Sequence, residues 1–269
     1  GGSSKIGRPF ITDLELSMTR PSVGMFYRYN INSFISVRGN FFWGVASGSD
    51  KLSYPRSVYA DEWYRFYRNL SVRTSIMEFS AQFELNLMKY EPRRKRYRFA
   101  PYFFLGVGGF QYTPKAKYLD PVTDSERWVD LRSLGTEGQG TAEYPDRQKY
   151  KPMAVCFPMG FGVKYAINRY WNLGFELGHR ITTTDYIDDV SKTYPGEAIF
   201  KNNYDDETSA LMYALSRRSR ELDPSLKYDY VTDTNQQRGD PHDFDHYMFM
   251  GALVVIFNIT GGKIITPKF

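Results

Sequence analysis

The chain has 269 residues, a net charge of +5 and a 17% aromatic content that includes 22 Tyr and 20 Phe. Its mean hydropathy is −0.50 and no run approaches the ~18 apolar residues of a transmembrane helix, so membrane residence requires a barrel. The single cysteine, Cys156, excludes an internal disulfide framework, and so mild a charge selects no partner class alone.

Segments of alternating polarity, about ten residues each, follow one another through short, then long, then short connections. Residues 10–18 form the first expected strand, 22–29 the second and 34–45 the third. A polar, aromatic loop of roughly twenty residues leads to the fourth, 70–87. A turn carrying Pro92 and a basic cluster joins it to the fifth, 99–112. After a long Gly- and acid-rich loop come the sixth, 154–165, and the seventh, 171–181, joined by a tight turn. The longest insertion precedes the eighth, 247–259. Within that insertion, residues 207–222 have helical character, with Leu211, Leu215 and Leu222 near one face. Short turns on one side and long loops on the other predict one all-β domain. Its expected form is an eight-stranded antiparallel transmembrane β-barrel of OmpA-like size. The expected loops cover about 46–69, 113–153 and 182–246. No signal peptide is visible at Gly1, so an exported barrel is expected to be a processed form.

Polarity sorts the strands into two faces. Val155, Phe157, Met159, Phe161, Val163 and Tyr165 share one; Cys156, Pro158, Gly160, Gly162 and Lys164 share the other. Leu173, Phe175 and Leu177 likewise oppose Asn172, Gly174, Glu176, Gly178 and Arg180. The eighth segment is apolar on both faces, so its parity is open. The polar face collects Arg28, Arg38, Lys164 and Arg180 against Asp13, Glu15, Glu78, Glu84 and Glu176. In a soluble barrel or sandwich that face meets water. In a membrane barrel it fills the lumen, because each basic residue facing mid-bilayer lipid costs ~2–4 kcal/mol. Arg28, Arg38, Glu78, Glu84, Lys164, Glu176 and Arg180 are therefore expected to pair as a lumen charge network. Eight strands leave an interior that side chains fill, which predicts a plug rather than a diffusion pore.

Other features carry little chemistry. His242 and His246 lie near Asp240, Asp243 and Asp245, but loop spacing does not gather metal ligands. His179 has no evident nucleophile partner. Gly106, Gly108 and Gly109 are followed by no helix, so they relieve crowding or mark a bend rather than cradle phosphate. Cys156 reads as a small buried filler. Neither catalytic residues nor metal or cofactor ligands are expected. The strongest charge run is Arg93, Arg94, Lys95 and Arg96, extended by Arg98. It reads either as a solvated, headgroup-anchoring turn or as a docking surface for an acidic partner. Nucleic acid is disfavoured because the run is isolated.

Some of these residues resemble a known family. Trp128 to Leu131 with Leu134-Gly135-Thr136-Glu137-Gly138-Gln139-Gly140, the run from Phe157 to Tyr165 continuing to Glu176, and Thr184-Asp185-Tyr186-Ile187-Asp188-Asp189-Val190-Ser191 carry the likeness. Weaker matches are Leu215-Ser216, Arg218-Ser219 and Gln237-Arg238-Gly239. Together they resemble the PorG family of the Bacteroidetes type IX secretion system, although the region after Ser191 is longer. The resemblance implies an outer-membrane barrel associated with the periplasmic ring of PorK lipoprotein and PorN, in machinery also linked to gliding. It implies no activity or cofactor. Outer-membrane lipid and the ring proteins are the expected partners, with short turns and both termini periplasmic. The alternatives are a small outer-membrane binding or transport barrel and, further off, a lipid-modifying barrel enzyme.

Overall fold

The structure, a computed structural model, describes residues 20–52, 66–120, 123–222, 236–239 and 246–259, without the side chains of 246–251. The strand expected over 10–18, with Asp13 and Glu15, lies outside the described residues, as do His242 and the chain beyond 259. The strands are β1 (Ser22–Asn30), β2 (Ile35–Ser49), β3 (Ser71–Asn86), β4 (Phe99–Leu119), β5 (Glu126–Asp130), β6 (Met153–Ala166), β7 (Trp171–Thr182) and β8 (His246–Phe257). They form one antiparallel sheet in the order β1-β2-β3-β4-β6-β7-β8, with β5 pairing on β4.

The sheet is strongly curled into a half-barrel. Arg38 on β2 and Glu176 on β7 meet at 2.5 Å. Those strands stand four places apart in the sheet order, which in a flat sheet would separate them by ~19 Å at ~4.8 Å per strand.

Turn chemistry fixes one end. Asn32 Oδ1 accepts from the Phe34 and Ile35 amides, both at 2.8 Å. Asn168 Oδ1 accepts from Tyr170 N at 2.7 Å and Trp171 N at 2.9 Å. Both asparagine side chains replace backbone partners in tight turns. The third short connection, 87–98, is seated against both neighbours: Tyr90 N donates to Ser33 O at 3.1 Å and Ala166 N to Arg98 O at 2.8 Å. The long connections all emerge at the opposite end.

Here the structure corrects one expectation. β4 runs on to Leu119 instead of stopping at Tyr112, and β5 folds back on it, with Lys115 opposite Asp130 and Leu119 opposite Glu126. The extension survives because Ala116 is buried under Leu131 and Leu215. β5 therefore takes the place of much of an expected loop. The helical character expected over 207–222 is found there, as an α-helix over Asp206–Ser216 and a 3-10 turn over Ser219–Glu221. Helix α1 spans Leu131–Leu134, α2 Glu197–Asn203 and α3 Asp206–Ser216. Asp205 caps α3 by accepting from Thr208 N at 2.9 Å, and α3 buries Met212 and Leu215.

Glycines on the concave face let bulky neighbours in. A Cβ at Gly160 would stand 2.1 Å from Leu177 O and 2.6 Å from the Phe104 ring; one at Gly162 would stand 2.7 Å from the Tyr102 ring. Gly109, on the convex face, has nothing within 4 Å of its Cβ position. Gly160→Ala should therefore destabilise the fold by ~1–3 kcal/mol, while Gly109→Ala stays within ~0.5 kcal/mol of the parent. Urea unfolding in detergent, followed by tryptophan fluorescence, checks the pair; equal effects would refute the packing assignment.

Candidate functional site

Burial is inverted across the sheet. Met25 is 70% exposed and Leu105 63%, whereas Glu84 and Glu78 are fully buried and Lys164 is 1% exposed. The exposed apolar face is continuous across the strands. In register it runs Met25–Phe41–Phe79, then Val37–Phe83–Leu105–Met159, then Phe161–Leu177 and Val163–Phe175–Leu253. Soluble monomers rarely expose a contiguous patch beyond a few hundred Å². On β6 the belt runs from Val155 to Tyr165, ~33 Å along the strand at ~3.3 Å per residue. At a tilt of ~40° that is ~25 Å, the height of a barrel's lipid-facing band. The open parity of β8 resolves the same way: Val254 and Ile256 are buried, and Leu253, Val255 and Phe257 are exposed.

The concave face joins all seven residues of the expected charge network. Glu84 is the hub. Its carboxylate meets Arg28 at 2.7 Å, Arg38 at 3.2 Å and Lys164 at 3.3 Å. Arg38 also donates to both oxygens of Glu176, at 2.5 and 3.2 Å, and to Gln82 Oε1 at 2.9 and 2.6 Å. Gln82 donates to Ser80 Oγ at 3.0 Å, and Ser80 to Glu78 at 2.8 Å. Glu78 in turn pairs with Arg180 at 3.0 Å. One hydrogen-bonded path thus links β1, β2, β3, β6 and β7.

Four cations face three carboxylates here, and aromatic rings attend each cation. Arg28 lies 5.0 Å from the Phe26 centroid, Arg38 4.6 Å from Phe104, Lys164 4.5 Å from Tyr102 and Arg180 5.7 Å from Phe42. Ring faces attract cations, more strongly when water is excluded. Tyr102 also donates a hydrogen bond to Glu176. Sequence reasoning missed these rings. Tyr102 and Phe104 share parity with Gly106 and Gly108, but β4 is apolar on both faces and shows no contrast to read.

Apolar clusters lie at both ends of this interior. Tyr90, Ala100 and Ala166 pack at the short-turn end. At the other, Ile76, Phe110, Tyr112 and Cys156 pack with Ile187 from the long β7–β8 connection. Thr74 Oγ1 donates to Ile187 O at 2.6 Å, and Tyr112, Tyr150 and Tyr186 stack in series. Cys156 is fully buried here, as its expected filler role requires.

Beyond this cluster lies a second buried ionic node, which the sequence did not assign. It brings together three of the segments that carry the family resemblance. Glu137 accepts from the Ser191 and Lys192 amides at 3.0 Å and meets Arg238 at 3.2 Å. Arg238 also donates to Asp189 O at 2.5 Å. Asp189 accepts from Thr136 Oγ1 at 2.5 Å and Tyr150 Oη at 2.7 Å. Asp189 has φ 64°, a left-handed conformation that Asp tolerates better than most residues. Gly239 is obligatory for a different reason: its Cβ would fall 2.6 Å from Ser191 N. The signal in the sequence was the pair of motifs itself, but nothing there says that residues 137, 189 and 238 meet.

The basic cluster lies on the 87–98 turn. Arg93, Arg94, Lys95 and Arg96 are exposed and Arg98 is half-buried; Arg94 pairs with Glu91 at 2.9 Å. His179 points from the convex face, in register with Met159 and Met248. His246 opens β8.

Residues 1–131 match a family described as a domain of unknown function (DUF6089). The match spans β1 to β5, including Glu78, Glu84 and the basic turn, and ends before Lys164, Glu176, Arg180 and the loop node. No curated protein and no solved structure matches the chain.

Two predictions follow from the ionic groups. Glu84→Ala removes the carboxylate that pairs Arg28 and Lys164, while Arg38 keeps Glu176, and should cost ~3–5 kcal/mol, read as a shifted urea midpoint in detergent; a loss below ~1 kcal/mol would deny Glu84 its hub role. In the loop node, burial pushes the Asp189 carboxyl up to about 6, against the opposing pull of Arg238, Thr136 and Tyr150. Its folded pKa lies above the ordinary ~3.9 of an unfolded chain. Its stabilising contribution is therefore complete below about pH 4 and is lost as pH rises through about 6. Hydrogen exchange at the Val190 to Lys192 amides should accelerate across that window, after correction for intrinsic rates, and Asp189→Asn should flatten the trend. An unchanged trend in the variant would assign the titration elsewhere.

Proposed function

We propose that this chain is a non-enzymatic outer-membrane barrel of the type IX protein secretion apparatus, docking to the periplasmic PorK/PorN ring. The inverted sheet carries the membrane part of this reading. An apolar belt ~25 Å tall around a buried ionic interior is stable against lipid and costly against water. The interior is crossed by paired side chains, with an apolar cluster at each end, which favours a structural component over a transport or ligand-binding barrel.

The resemblance to the PorG family supports the assignment to the apparatus. Segments that carry it converge on the Glu137–Asp189–Arg238 node. The short-turn end supports the docking part. Arg93, Arg94 and Lys95 project from it, with Arg96 and Arg98 at the base of the same turn, and clustered cations steer an acidic partner. On this reading the short turns are periplasmic and the long loops extracellular.

Co-purification from native outer membranes in mild detergent tests the proposal. Ring lipoprotein should accompany the parent chain and fall at least tenfold with Arg93→Glu, Arg94→Glu and Lys95→Glu combined. Association that survives this reversal would remove the basic turn from the interface. Absence of ring proteins with the parent chain would remove the apparatus.

A further inference from the structure

The short-turn end holds two kinds of cation. Arg93, Arg94 and Lys95 are exposed on the outer part of their turn, with Arg94 paired to Glu91, whereas Arg96 and Arg169 lie over aromatic rings at the border of the apolar belt. Arg96 is 5.9 Å from the Tyr97 centroid and Arg169 is 4.7 Å from that of Tyr170. Tyr170 stacks on Phe257 at 6.2 Å, and Trp171 meets the same ring edge-on at 5.1 Å. Tyr170, Trp171, Phe257 and Ile167 are all exposed. The two turns that carry these arginines are adjacent, joined by the bond from Ala166 N to Arg98 O at 2.8 Å and the register pair Phe99–Tyr165. Neither Arg96 nor Arg169 makes an ion pair among the described residues.

We propose that the rim between the 87–98 and 167–170 turns binds the phosphate of an anionic phospholipid in the adjoining leaflet. The inference rests on the membrane reading above. Chemistry selects the occupant. Exposed aromatic residues at a belt edge sit at headgroup level, and arginines beside them face a layer of phosphates. The cation–ring contacts hold the guanidinium groups at the belt border while leaving their N–H donors available to phosphate oxygens. An acidic protein would supply the charge but not the acyl chain that the apolar surface of Ile167, Trp171 and Phe257 accommodates. Arg93, Arg94 and Lys95 stay available to the ring partner.

Trp171 reports on this rim directly. A full-length chain with Trp43→Phe, Trp63→Phe and Trp128→Phe, reconstituted into vesicles, isolates its fluorescence. Brominated phosphatidylglycerol in unbrominated phosphatidylcholine should quench Trp171 more than brominated phosphatidylcholine does at the same mole fraction, with a rim preference of about fivefold per arginine. Arg96→Ala with Arg169→Ala should bring the ratio near one while quenching by phosphatidylcholine persists. A preference that survives the double substitution overturns the site. Equal quenching by both lipids in the parent also overturns it and leaves the membrane reading intact. If neither lipid quenches Trp171, the membrane reading fails and the lipid site fails with it.

Discussion

Everything in this molecule turns on the surroundings of the Glu84 carboxylate. One buried anion holds Arg28, Arg38 and Lys164 from three different strands, and Arg38 carries the connection across to Glu176. Burying such charges costs several kcal/mol per ion unless each finds partners with good geometry. The network meets that condition only when the sheet is curled, because β2 and β7 would otherwise lie far apart. The ionic contacts and the curvature therefore specify each other. Glycine supports both, since Gly160 and Gly162 admit Phe104 and Tyr102, whose rings face Arg38 and Lys164.

This arrangement also sets what the interior is for. Paired charges that cross the hollow, with apolar packing above and below, leave it occupied. Polar groups are inside because they satisfy one another, and apolar groups are outside because the proposed solvent there is lipid. The long loops repeat the same logic on a smaller scale. Glu137 and Asp189 accept backbone, hydroxyl and guanidinium donors, and Arg238 ties the segment that carries it to both. A loop assembly anchored by Ile187 and Thr74 extends the interior packing beyond the sheet instead of hanging free of it.

Much of the strand plan was legible because alternation is a local signal. β6 and β7 read cleanly, since Val155 to Tyr165 and Leu173 to Leu177 contrast at every step with glycine, lysine and glutamate. The charges of the interior were legible for the same reason, by parity. Their partners were not, because contact between residues 38 and 176 depends on curvature, which no local pattern encodes. The β4 extension was lost at Pro114 and Lys115, which read as loop residues, although Ala116 packs inward beneath Leu131 and Leu215. The apolar β8 could not be phased until its register with β7 placed Val254 and Ile256 inside. The loop node was hidden because its three groups come from separate segments that sequence reasoning could list but not assemble.

The similarity of residues 1–131 to a domain of unknown function covers the half of the sheet that contains Glu84. The claim that unites fold and function is that the convex face meets lipid. Nitroxide labels at Phe161, Val163 and Phe175, placed one at a time on a Cys156→Ser background and reconstituted in bilayers, test it most directly. The account predicts frequent collision with oxygen, which concentrates in lipid, and exclusion of a water-soluble nickel chelate at all three positions. Collision with the chelate as frequent as with oxygen would place that face in water and contradict the account.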